Sequence, residues 1–82
     1  MAARLLFFGP LRDKAGLAER FAPPGDLTVG ALIDWIATQD PELGAALKDL
    51  SVRVAVDRAV VMPEAPIAGA SEIAFMPPYS GG

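Results

Sequence analysis

Side-chain chemistry is scarce in this chain, and the scarcity directs attention to its last six residues, Pro77-Pro78-Tyr79-Ser80-Gly81-Gly82. There is no Cys and no His. Disulfides, thiol nucleophiles and the usual zinc and haem ligands are thereby excluded, and no metal site is expected. The commonest general base near neutral pH is missing too. No Ser/His/Asp or Cys/His set can be assembled. Asp13, Asp34, Asp49 and Glu64 are scattered along the chain and read as solvated surface groups rather than an acid/base pair. Gly81-Gly82 is not a phosphate loop, because no Lys, Ser, Thr or helix comes after it.

The group that remains is the main-chain carboxylate of Gly82, ionised near neutral pH. A carboxylate is a poor acyl donor. Attack on the α-phosphate of ATP converts it to a mixed anhydride with AMP as leaving group. A sulfur or nitrogen nucleophile can then take the acyl group. Such chemistry needs the terminus inside another protein's active site. Two glycines pass a channel too narrow for a Cβ. Pro78 to Gly82 span at most about 17 Å when extended. Pro77 and Pro78 stop strand pairing and favour an extended course, giving a stiff base to a free end. A frayed Gly-Gly end without function is the competing reading. The apolar run Ile73-Ala74-Phe75-Met76 and the proline pair before the tail favour function.

Composition sets the frame. The chain has 82 residues and is expected to be one domain, residues 1–77, with a flexible diglycine tail, residues 78–82. The apolar fraction is 52%, which offsets the small buried share available to so short a chain. Ten acidic and seven basic residues give a net charge of −3. No Lys/Arg cluster is present, so no nucleic-acid partner is expected; a basic protein surface is the better match. No stretch has the length of a membrane span, and the N-terminus lacks an apolar signal core and a cleavage site. The expected location is cytoplasmic, with no membrane partner.

The tail must be positioned by the elements before it. Arg4 to Phe8 reads as a strand with Leu5 and Phe7 on one side and Leu6 and Phe8 on the other. Apolar on both faces, it belongs in the interior of a sheet. One face is covered by the core; the other is covered by a partner or by a loop. Gly9-Pro10 ends it. Pro10 to Ala15 forms a short helical turn with Gly16 as its C′ residue. Leu17 to Phe21 is expected as a second strand, in a hairpin with the first. Pro23-Pro24-Gly25-Asp26 is a loop.

Thr28 is a strong N-cap, with Leu27 and Leu32 at hydrophobic-staple spacing. Val29, Leu32, Ile33, Ile36 and Ala37 make one helical stripe. Trp35 lies off it and reads as a packing residue at the rim. Asp40-Pro41 ends this helix and starts another, whose apolar positions are Leu43, Ala46, Leu47 and Leu50. Val52, Val54 and Val56 alternate with Ser51, Arg53 and Ala55 as a strand. Asp57-Arg58-Ala59 is a turn, and Val60 to Met62 is extended again. Pro63, Pro66, Gly69 and Ser71 mark a connection from which Ile67 plugs the core. Ile73 to Met76 is the last strand. The order, hairpin then helices then returning strands, predicts an α+β domain: a mixed sheet with one main helix packed on one face, as in the ubiquitin-like β-grasp.

Over nearly its whole length the chain resembles the small subunits of molybdopterin synthase, the MoaD-type sulfur carriers. Leu5-Leu6-Phe7-Phe8 with Leu11-Arg12 and Gly16 is similar to that family's first strand and turn. Leu27-Thr28-Val29 with Leu32 is similar to its helix start, and Ala55-Val56 before Val60 to its third-strand region. The most specific motif is the closing segment, Glu72-Ile73-Ala74-Phe75-Met76-Pro77-Pro78-Tyr79-Ser80-Gly81-Gly82. Asp57 stands where the family often has Asn, and Met76 where it often has Phe.

The resemblance implies a reaction cycle. An E1-like adenylating enzyme, MoeB-type, uses ATP to activate the Gly82 carboxylate. Sulfur delivery gives a Gly82 thiocarboxylate. The tail, Pro77 through Gly81, threads into the large subunit of molybdopterin synthase, MoaE-type, in a heterotetramer. There it donates sulfur to a cyclic pyranopterin monophosphate. The chain itself would bind no cofactor and would not be an enzyme alone. The resemblance also implies that Phe8, Val60 and Met76 contact the large subunit. Two other outcomes share the activation step: a ThiS-type carrier for thiazole synthesis, and a ubiquitin-like modifier of lysines.

Overall fold

A computed structural model describes residues 2–77. The elements are β1 (Arg4–Phe7), α1 (Pro10–Ala15), β2 (Arg20–Phe21), α2 (Val29–Gln39), α3 (Pro41–Leu47), β3 (Arg53–Val56), β4 (Ala59–Val61) and β5 (Glu72–Met76). The five strands form one sheet in the order β2-β1-β5-β3-β4. β1 and β5 run parallel, and the other neighbours are antiparallel. The architecture is the expected mixed sheet with helices packed on it, and the first strand is interior, as its two apolar faces require.

Register divides the side chains between two faces. Leu5 pairs with Ile73 and Phe7 with Phe75, while Val54 pairs with Phe75 and Val56 with Ile73. These positions face the helices. Leu5, Val54, Ile73 and Phe75 share the core with Leu11, Val29, Leu32, Ile36, Leu43 and Leu47. Phe75 is fully buried, and its ring stacks on Phe7 with centroids 5.1 Å apart. Such a pair adds about 0.5–1.5 kcal/mol beyond its buried area. Trp35 packs partly buried against this core.

Local chemistry explains the helix starts. The Thr28 hydroxyl accepts the Ala31 N–H at 3.1 Å. The connection after β4 completes the cap: the Val29 N–H donates to the Ala65 carbonyl and the Gly30 N–H to the Pro63 carbonyl, each at 2.9 Å. Three amides that a helix start leaves orphaned are thus satisfied. Ile67 plugs the core from this connection, 5% exposed. Asp40 caps α3, its carboxylate accepting the Leu43 N–H at 3.2 Å. Arg20 also reaches Asp40, at 3.3 Å, and donates to the Ala15 carbonyl at 2.8 Å. It ties the ends of α1 and α2 to the short hairpin strand.

Several boundaries differ from the sequence expectation. β2 is two residues long, not five; Leu17 is 89% exposed and has no apolar surface to pack on. α3 ends at Leu47, so Leu50 lies beyond it and is fully exposed. Ala59 belongs to β4 rather than to the turn. Asp57 and Arg58 alone make the reversal, both with positive φ, 48° and 74°. This is the two-residue type I′ geometry that suits strand twist.

Candidate docking face and tail base

The face of the sheet away from the helices carries the second set of side chains. Leu6 pairs with Ala74, Ala74 with Ala55, and Ala55 with Val60. They form one row across β1, β5, β3 and β4. Phe8 comes after β1 and shares this side by alternation, and Met76 pairs with Arg53, giving a second row where β5 ends. Phe8 is 48% exposed and Val60 59%, while Met76 is partly buried. Ala55 and Ala74 make a low floor between the larger side chains. The result is an apolar, shallow patch beside Pro77.

Phe8, Val60 and Met76, singled out from the sequence, therefore lie on one face opposite the helices. Phe8 directly follows β1, next to the β5 strand that ends at Met76; Val60 is one row further and two strands across from Met76. Leu6, Ala55 and Ala74 belong to the same surface, and strand alternation in the sequence already carried that signal. Arg53 was less visible: only its pairing with Met76 places it on the strand beside the end of β5. Charges close the far end of the patch, where Arg4 pairs with Glu19 at 3.1 Å. Both side chains are more than half exposed, so that pair contributes little to stability. Phe21, paired with Arg4 and 46% exposed, borders this end.

The tail base is held tightly. The Phe8 N–H donates to the Phe75 carbonyl at 3.1 Å, continuing the parallel ladder to the end of β5. Pro77 then packs on Gly9, and an ideal Cβ at Gly9 would lie 3.1 Å from the Pro77 Cγ. The assignments made to Pro78, Tyr79, Ser80, Gly81 and Gly82 fall outside the described residues.

Among the described residues, no group of three or more Asp or Glu side chains is placed to hold a metal ion. Asp34 pairs with Lys48 at 3.2 Å on the surface. Asp49 accepts from the Ser51 hydroxyl at 2.6 Å and the Ser51 N–H at 2.8 Å. Those two donors, the hydroxyl first, hold the exposed Asp49 carboxyl below its ordinary value. No described helix is long and apolar enough to cross a membrane.

A two-layer β-grasp with an apolar outer face and a terminal strand ending beside it defines a ubiquitin-like protein. Known proteins agree. SAMP1 from Haloferax volcanii superposes with a TM-score of 0.79 at 25% identity, covering 100% of both chains. A second structure of H. volcanii small archaeal modifier protein 1 gives 0.78 at 22% identity over 95% of this chain and 98% of that one, a likeness of fold. The ThiS family model matches residues 5–82. The molybdopterin synthase sulfur carrier subunit of Escherichia coli (strain K12) is 32% identical over 79 residues, 96% of this chain and 98% of that protein. The chain belongs to the ThiS family.

Proposed function

We infer that this protein is a sulfur carrier of molybdenum cofactor biosynthesis, the small subunit of a molybdopterin synthase. The observation that carries the reading is the 32% identity to a molybdopterin synthase sulfur carrier subunit over almost the full length of both chains. The geometry supports it, because the strand that ends at the tail also contributes Ala74 and Met76 to the apolar face. One docking event on that face would deliver the tail to a partner's active site.

Each step of the cycle balances. A Gly82 carboxylate oxygen attacks the α-phosphorus of ATP, and pyrophosphate leaves. Hydrosulfide attacks the acyl carbon of the adenylate, AMP leaves with the electron pair of the broken C–O bond, and the resulting thioacid loses its proton. The product is the Gly82 thiocarboxylate. In the large subunit its sulfur displaces an oxygen substituent at a side-chain carbon of the cyclic pyranopterin monophosphate, and that oxygen leaves with the electron pair of the broken C–O bond. Water then cleaves the acyl–sulfur bond, returning the carboxylate and leaving the sulfur on the pterin. Two rounds supply the two sulfurs of a dithiolene. ATP is consumed at an E1-like activating enzyme, and this chain holds no cofactor in that scheme. The basic side chains that catalyse transfer belong to the large subunit.

Thiocarboxylated protein is the reagent that tests the class. Offered to a large subunit with the pyranopterin precursor, it is expected to lose its sulfur to the pterin. Delivery instead to a thiazole precursor, or formation of an isopeptide on a protein lysine, would overturn the assignment. The second outcome is the one the likeness to an archaeal modifier protein favours.

A further inference from the structure

We propose that Gly9 is a positioning residue for the C-terminal segment, its bare α-carbon forming the seat on which Pro77 fixes the direction the chain takes from the sheet. The proposal rests on the sulfur-carrier reading for its consequence in turnover, and on geometry alone for the seat itself.

Gly9 comes directly after β1, with φ 57° and ψ −138°. The Leu11 N–H donates to the Phe8 carbonyl at 3.2 Å, closing a four-residue turn over Gly9 and Pro10. A positive φ at the second position of that turn is the type II′ arrangement, which calls for glycine. A type I turn would suit a side chain at position 9. Pro10 opposes it, because proline disfavours the helical region in the residue before it.

Space adds an independent requirement. A Cβ on Gly9 would lie 3.1 Å from Pro77 Cγ and 3.8 Å from its Cβ and Cδ. Gly16, Gly25 and Gly69 also have positive φ, yet a Cβ on any of them meets nothing within 4 Å. Among the described residues, Gly9 alone joins a left-handed backbone to a contact with the tail base.

The surroundings decide what yields when a side chain is added. Phe75 is held by the Phe8 N–H, and Met76 is held in register with Arg53. Pro77 is the first residue of the segment outside that ladder, so the shift passes to Pro77 and the five residues beyond it. Five residues extend at most about 17 Å from this pivot, so the direction in which the chain leaves Pro77 decides which space the terminus can reach.

Gly9→Ala and Gly69→Ala make the test, since both place alanine at positive φ and only the first meets Pro77. Both are expected to stay folded and to keep wild-type affinity for the large subunit through the sheet face, with Gly9→Ala losing the more stability in urea denaturation because it adds the contact with Pro77 to the backbone strain. Gly9→Ala is expected to lower kcat for adenylation by an E1-like enzyme about tenfold or more, with KM little changed. Gly69→Ala is expected to keep the wild-type kcat. NMR chemical shifts of Pro77 and the residues after it should move in Gly9→Ala and not in Gly69→Ala. Pro77→Ala, made on the unaltered Gly9 turn, is expected to lose kcat while remaining folded. Unmoved tail shifts in Gly9→Ala, or unchanged kcat in either Gly9→Ala or Pro77→Ala, would overturn the proposal. A wild-type chain that no E1-like enzyme adenylates would sink the carrier reading instead, and the shift comparison would still decide the seat.

Discussion

Asp57 and Glu72 bond each other reciprocally: the Asp57 N–H donates to the Glu72 carbonyl at 3.0 Å, and the Glu72 N–H donates to Asp57 Oδ1 at 3.0 Å. The same Oδ1 accepts the Ser71 N–H at 2.9 Å. The β3–β4 turn is thereby fastened to the start of β5, the strand whose other end launches the tail. Position 57 also sits at φ 48°, where Asp and Asn are the tolerated non-glycine residues.

Two substitutions test these roles together. Asp57→Asn keeps the Oδ1 acceptor and the left-handed tolerance, and is expected to stay within about 0.5 kcal/mol of wild type. Asp57→Ala loses both and should cost about 1–2 kcal/mol. Urea denaturation of both variants checks the pair, and equal stabilities would show that the clamp contributes nothing.

The sequence made much of this fold legible where chemistry is local. Thr28 and Asp40 marked helix starts because their side chains satisfy nearby amides. Alternation at Val52 to Val56 and the doubly apolar Leu5 to Phe8 run placed interior strands. The failures lie where long-range pairing decides. Leu17 looked like a strand residue, yet β1 offers β2 only the partners of Arg20 and Phe21. Leu50 matched helical spacing, but the helix stops at Leu47 and the chain turns at Asp49 and Ser51. For the candidate site, Phe8 and Met76 could be placed by parity. Gly9 was read only as the stop of a strand, because its contact with Pro77 joins residues far apart in the chain.

The docking face makes a second prediction. Phe8→Asp with Met76→Asp puts two charges into the row beside the tail base while leaving Phe75 and the core untouched. Burying an unpaired carboxylate in an interface is costly, and two should abolish complex formation. The double variant is expected to stay folded by circular dichroism and to elute apart from the large subunit in size-exclusion chromatography. Co-elution would show that the partner uses another surface.

Gly44 supports the layer beneath. It is buried in α3 where that helix crosses α2, and a Cβ there would run into the Cβ and backbone Cα of Ala37. Alanine favours a helix over glycine by about 1 kcal/mol. Here the overlap includes backbone, which cannot rotate aside, so overpacking should outweigh propensity. Gly44→Ala is expected to destabilise by about 1–3 kcal/mol net in a thermal or urea melt. A stabilised variant would mean that α3 moves freely on α2.

Asp49 gives a pH test away from the tail. Its carboxyl is held below its ordinary value by the Ser51 hydroxyl and N–H. A depressed folded value stabilises the fold above the unfolded carboxylate range, and that stability is lost as pH falls through the folded midpoint. An NMR titration should find Asp49 below its ordinary value in the wild type, and raised toward it in Ser51→Ala. An unchanged midpoint in Ser51→Ala would remove the hydroxyl as the cause.

In the proposed cycle the Gly82 main-chain carboxylate carries the sulfur. Intact-mass spectrometry after incubation with ATP, an E1-like adenylating enzyme and a sulfur source tests it most directly. One oxygen is expected to be replaced by sulfur, with the change confined to the C-terminal peptide, and no change is expected in a variant bearing one extra residue after Gly82. A wild-type mass that does not change, or a lengthened variant that still gains and delivers sulfur, would contradict it.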